Sequence, residues 1–202
     1  ALDRAQINEA VFKGLGTPAQ FAPPSGTPLY SEELSNFAAQ YDPEGAKKLL
    51  AEAGYPDGFT TRMDWTFGGG SDVNTKGDAE WLQRDFEKVG IKASIEMFDN
   101  NAFWDMMSNG MREGTSLTSA SWGESTFAWL DQVLTKGALP PSCCNSGYFE
   151  NPKVDELLSQ ARASATQEEM DAKLHEVRDI VAEDMAFTSY YRALSVYAMR
   201  PE

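Results

Sequence analysis

An α/β fold, with a mixed sheet flanked by helices, follows from three stretches of the 202-residue chain. Residues 59–67 alternate, with Phe59, Thr61, Met63, Trp65 and Phe67 on one side and Thr60, Arg62, Asp64 and Thr66 on the other. Residues 91–98 alternate again, and between the two lies a helical run with Leu82, Phe86 and Val89 at helical spacing. Strand, helix, strand within so short a span predicts a βαβ unit that crosses over right-handed into a partly parallel sheet. The third stretch, TSLTSASWGESTFAWLDQVL (115–134), reads as strand, Gly123, polar cluster and helix. Ser125 or Thr126 caps that helix, because a side-chain oxygen accepts from the free N–H groups of a first turn.

The remaining elements follow from local signals. Leu2–Leu15 predicts a helix with Ile7, Ala10 and Val11 on one face. Residues 17–30 carry four prolines and predict an extended arm. Tyr41–Gly54 predicts a helix with Asp42 as cap, Pro43 in its first turn, Leu49, Leu50 and Ala53 inward, and Gly54 as its stop. A short helix is expected over Asn100–Gly110, another from the Asn151–Pro152 start, and the longest over Gln167–Met185 behind a Thr166–Glu169 capping box. Residues 187–199 predict a final extended run.

Composition limits the function classes. Hydrophobic content of 42% and five tryptophans indicate a globular chain. The net charge of −14, from 17 basic and 31 acidic residues, repels nucleic acid and anionic membranes, so neither is an expected partner. No apolar run is long enough to span a membrane, so no insertion of this chain is expected. No signal peptide is visible, and both ends read as cut from something longer.

Chemistry-bearing motifs are sparse. Gly68–Gly70 lacks the Lys-Ser/Thr ending of a phosphate loop. The single histidine, His175, has too few companions for zinc or for a Ser–His–Asp triad. No catalytic residue, metal or cofactor is expected, and an enzyme is the minor reading. Cys143 and Cys144 are neighbours, about 3.8 Å apart at Cα, closer than disulfides usually span. They read as two thiols, or as one thiol paired with a cysteine elsewhere.

Aromatics gather at strand ends. If the strands are parallel neighbours, their carboxyl ends form one rim lined by Trp65, Phe67, Phe98, Trp122, Ser125 and Thr126. Apolar walls with a few fixed polar groups suit a small-molecule site, and α/β sheets bind ligands beyond the carboxyl ends of their strands. The plainer alternatives are aromatics buried in the core and an ordinary strand–helix connection. Trp122 and Trp65 are the candidate walls. Ser125 and Thr126 offer hydroxyls at a helix start, Glu124 a partner for a cationic group, and Arg112 a partner for a carboxylate.

Six segments, in order, resemble one family. They are INEAVFKGLGTPA, YDPEGAKKLLAEAGYPDGF, AEWLQRDFEKVGIKASIEMFD, SASWGEST, NSGYFENPKVDELLSQARAS and DIVAEDMAF. Together they resemble the carboxy-terminal lobe of the extracellular solute-binding proteins of family 5, the peptide, glutathione and nickel receptors of ABC importers. The resemblance implies a periplasmic-binding-protein-like (class II) architecture closing on ligand by hinge motion. Residues 1–202 would form the carboxy-terminal lobe, with the amino-terminal lobe outside this chain. It also implies a peptide or other small-molecule ligand, an ABC permease as partner, and a periplasmic or extracellular location, lipid-anchored in one variant. Where dipeptide and oligopeptide receptors of the family place an Asp three residues after the matching Trp, this chain has Ser125, with Glu124 beside it. An enzyme, or a chaperone-like or signalling protein on the same fold, is the alternative.

Overall fold

The computed structural model describes residues 1–18, 29–33, 40–67, 75–119, 128–186 and 191–192. The first helix, α1 (Arg4–Phe12), is capped by Asp3, whose Oδ1 accepts from the Gln6 amide at 3.0 Å. It is shorter than the apolar pattern predicts: Lys13 turns left-handed (φ 56°), and Leu15 is exposed. A two-residue strand, β1 (Thr17–Pro18), follows and pairs antiparallel with β5 (Tyr191–Arg192). The rest of the predicted run over 187–199 lies outside the described residues.

Helix α2 (Pro43–Glu52) begins as predicted, with Asp42 accepting from the Gly45 amide at 2.8 Å. Its packing does not follow the prediction. No residue of α2 is buried, and Leu49 is 66% exposed rather than inward.

Strands β2 (Phe59–Thr66), β3 (Ile91–Phe98) and β4 (Thr115–Thr118) form one parallel sheet in the order β3-β2-β4. Among the described residues, antiparallel pairing is confined to the β1–β5 ribbon. The register runs from Phe59 opposite Ile91 to Thr66 opposite Phe98. It is set where both strands start. Gly58 has φ +74°, and a Cβ there would meet the Gly90 carbonyl oxygen at 1.9 Å. Only glycine allows the two chains to come so close.

Helix α3 (Thr75–Glu87) connects β2 to β3 and covers the odd-numbered side of the sheet. There Met63, Trp65 and Ala93 pack with Ala79 and Leu82 of α3 and with Ile7, Val11 and Phe12 of α1. The chain then moves from β3 back across β2 to β4 through α4 (Asn100–Asn109), capped by Asp99. A right-handed crossover in the reverse direction requires the opposite side of the sheet. The alternation in β2 leads to a second prediction that needs correction. One better-buried side was expected, yet Asp64 (0% exposed) and Thr66 (5%) are as buried as Met63 and Trp65. Both sides of this strand are covered, as in parallel sheets generally.

A second core is helical. Helices α5 (Ala128–Leu134), α6 (Pro152–Ala163) and α7 (Gln167–Asp184) bury Leu130, Leu134, Leu157, Leu158, Leu174 and Val177 together, and Leu29 of the proline-rich arm joins them. Asn151 caps α6 and Thr166 caps α7. The capping box closes one residue early, because the Glu169 carboxylate accepts from the Ala165 amide rather than from Thr166. A loop with a 3-10 turn (Lys136–Ala138) links α5 to α6. There the expectation of free thiols is overturned: Cys143 and Cys144 form a disulfide, with Cα atoms 3.7 Å apart. No helix among the described residues is long and apolar enough to cross a membrane.

Candidate ligand-binding site

The carboxyl ends of β2, β3 and β4 lie side by side, because all three strands are parallel neighbours. The Phe67 amide donates to the Phe98 carbonyl at 2.9 Å, which joins the rim across β2 and β3. Phe67 is 66% exposed there, a large aromatic ring facing solvent at a strand end. Trp122, Glu124, Ser125 and Thr126 lie outside the described residues; β4 ends at Thr118 and α5 resumes at Ala128.

Trp65 needs correction as a candidate wall. It is 4% exposed within the core against α1 and α3, and its indole N–H donates to Asp78 Oδ1 at 3.1 Å. Its place in the alternation puts it on the α3 side, so it supports the rim from beneath rather than lining it.

Arg112 is also occupied. Its Nη2 and Nε donate to the Asp64 carboxylate at 2.8 and 3.2 Å, and Nη2 also donates to Glu96. The guanidinium stacks over the Phe98 ring, 4.4 Å from its centroid. Arg112 therefore holds strands together, and a ligand carboxylate would have to compete with two internal ones.

At the centre of this network is Asp64, fully buried. Besides Arg112 it accepts from Arg62 Nε at 2.9 Å and from the Thr115 hydroxyl at 2.6 Å. Thr115 in turn accepts from Arg62 Nη2 at 2.7 Å, and the Thr118 hydroxyl donates to the Asp64 carbonyl at 2.9 Å. Burial alone would raise the pKa of Asp64. Hydrogen bonds from Arg112, Thr115 and Arg62 outweigh it and hold the carboxyl below its ordinary value. The bond from Arg112 likewise lowers Glu96, and the two carboxylates together raise Arg112. Asp64 is thus a fixed anion with its acceptor capacity spent, unsuited to acid–base work.

Sequence reasoning did not assemble this network. It placed Arg62 and Asp64 on one strand face, which was the available signal. The partners at 96, 112 and 115 come from elements whose proximity only the fold creates.

The family described as "Bacterial extracellular solute-binding proteins, family 5 Middle" matches residues 1–133. Among curated proteins, the chain is 33% identical over 193 residues to heme-binding protein A of Haemophilus influenzae, covering 92% of this chain and 33% of that protein. It is 30% identical over 188 residues to the glutathione-binding protein GsiB of Escherichia coli, covering 90% of this chain and 35% of that one. The chain thus spans about a third of the length of the curated relatives it matches. Among solved structures, AgaA of A. tumefaciens, in complex with agropinic acid, superposes with a TM-score of 0.78 at 29% identity, over 96% of this chain and 38% of that one. The periplasmic binding protein DppA of Helicobacter pylori, in complex with a peptide, superposes with a TM-score of 0.79 at 21% identity, over 95% of this chain and 37% of that one, a likeness of fold. With the family match spanning 133 of its 202 residues and a parallel sheet flanked by helices, the chain belongs to family 5 of the bacterial extracellular solute-binding proteins.

Proposed function

We propose that the full-length protein is the substrate-binding component of an ABC importer. The chain described here is its carboxy-terminal lobe. A peptide or similar small solute lodges between this lobe and a second one, closure buries it, and the closed form delivers it to a membrane permease. Ligand drives closure only through its higher affinity for the closed state. The observation that carries this reading is the family match over residues 1–133.

The ligand-contacting set proposed for this lobe is Trp122, Glu124, Ser125 and Thr126, together with Phe67. Phe67 directly follows β2, the other four follow β4 in sequence, and α/β sheets place their ligands beyond the carboxyl ends of such parallel strands. Trp122 and Phe67 would supply apolar walls, Ser125 and Thr126 hydroxyls, and Glu124 a partner for a ligand cation. Trp65 and Arg112 leave the set, because the core and the Asp64 network hold them.

Native mass spectrometry of the full-length protein, gently purified from its own host and then denatured, tests this. A released peptide, thiol compound or other small solute is the expected result and would name the ligand class. An empty protein that shows no thermal shift with peptides, glutathione, heme, agropinic acid or metal chelates would remove solute capture as its role.

A further inference from the structure

The loop between α5 and α6 carries the Cys143–Cys144 disulfide, both residues partly exposed. The loop is held by other means. Asn145, 1% exposed, donates from Nδ2 to the carbonyls of Thr135 at 3.0 Å and Phe149 at 2.7 Å, and its Oδ1 accepts from the Phe149 amide at 3.0 Å. The Asn145 amide donates to the Ala138 carbonyl, and the Ser142 amide to that of Leu139, both at 2.9 Å. The Ser146 hydroxyl anchors the loop on Met107 of α4.

A disulfide stabilises a fold chiefly by closing a length of chain, and neighbouring residues enclose none. Asn145 already supplies the loop's closure. The pair is therefore poorly explained as a structural staple.

Cys143, but not Cys144, lines a cavity of about 450 Å³ shared with Asp131, Thr135, Asp155 and Arg162. That volume is within the range of small-molecule sites. It sets Cys143, rather than Cys144, beside a space that a small solute could enter.

We propose that Cys143–Cys144 is a thiol–disulfide exchange site that takes a low-molecular-weight thiol, attacked at Cys143 from the cavity. The incoming thiolate forms a bond to Cys143 Sγ. The Cys143–Cys144 bond breaks, and its electron pair leaves on Cys144 Sγ, which takes a proton from water. Cys144 can then re-attack Cys143 and expel the thiol, which restores the starting state. Alternatively, a second thiol attacks the mixed disulfide. The protein pair then becomes a dithiol while two thiols are oxidised to their disulfide. The rate of such exchange depends on which sulfur is reached and how openly.

The test uses the full-length protein, native, with millimolar reduced glutathione and N-ethylmaleimide added at intervals, followed by acid quench and peptide mass spectrometry. The expected product carries glutathione on Cys143 and maleimide on Cys144, in about tenfold excess over the reverse arrangement, because access selects the sulfur attacked. In denatured protein the two arrangements should approach equal amounts. Circular dichroism and melting temperature should change little on full reduction, because Asn145 keeps the loop closed. Equal labelling in the native protein, no exchange over hours, or maleimide on both cysteines without added thiol would each overturn the proposal. A large fall in melting temperature on reduction would overturn it too, by making the disulfide a staple.

Discussion

The α6–α7 hairpin and the three-stranded sheet are both deeply buried, but by different means. In the hairpin, Val154, Leu157 and Leu158 of α6 meet Leu174, Val177 and Val181 of α7, six apolar side chains from two helices adjacent in sequence. In the sheet, the side facing α3 is apolar, but the other is held by Asp64 between Arg62 and Arg112, with Thr115 and Glu96 completing the set. Apolar packing is non-directional and tolerates repacking, whereas a buried carboxylate needs each of its partners in place. The hairpin should therefore respond to lost volume, and the sheet to lost charge.

The largest effect should come from volume in the hairpin. Leu157→Ala removes a fully buried side chain, and such truncations cost about 2–5 kcal/mol. Urea unfolding should show the loss as a lower midpoint at unchanged slope. A cost under about 1 kcal/mol would mean the site collapses around the change, and the contrast with the sheet would weaken.

Next comes charge in the sheet. Asp64→Ala leaves Arg62 and Arg112 without their buried partner. The cost should fall at the lower end of the roughly 3–5 kcal/mol for such breaks, because both arginines are partly exposed. The pH dependence sharpens the point. The folded Asp64 titrates below its unfolded value of about 3.9, so its contribution is complete above that value and is lost as pH falls through the folded pKa. The stability gap between wild type and Asp64→Asn, measured by denaturation from neutral to acid pH, should hold steady and then shrink below about pH 4. A gap constant into acid would show that ionisation of Asp64 does not carry the effect.

The smallest effect lies on the apolar side of the same strand. Trp65→Phe keeps an aromatic ring but removes the N–H that reaches Asp78, and losing a hydrogen bond of this kind costs about 1 kcal/mol. Unchanged stability would show that the ring's packing, and not this hydrogen bond, holds Trp65 in the core.

The same contrast explains what could be read before the fold was known. Caps and stops are local chemistry, so Asp42–Pro43, Asn151–Pro152 and Thr166 marked their helices correctly. The alternation of β2 and β3 located both strands and implied their parallel pairing. Alternation cannot say which side of a strand is covered. It therefore left Trp65 equally fit for core or wall, and took Asp64 for an outward residue although it is buried. Arg112 sits 48 residues from Asp64 in sequence, and no local pattern pairs them. Leu49 shows the reverse error, because an apolar stripe on α2 predicted burial that this chain does not supply. The adjacency of the cysteines argued from typical spacing against the bond that the loop in fact holds.

Asp64 also acts as a proofreader. Its side chain touches Thr115 of β4 and Arg112 of the turn before β4, Arg112 reaches on to Glu96 of β3, and the Asp64 carbonyl is held by Thr118. If β2 paired with its neighbours one residue out of step, every side chain would change sides. The Asp64 carboxylate would then lie with Arg62 among Met63's apolar neighbours, and Arg112 would be left on the far side with Glu96 alone. A slipped hydrophobic strand can still bury something, but this one would strand a charge. Misassembled sheets are thereby made costly, and the penalty grows with each strand added to the error.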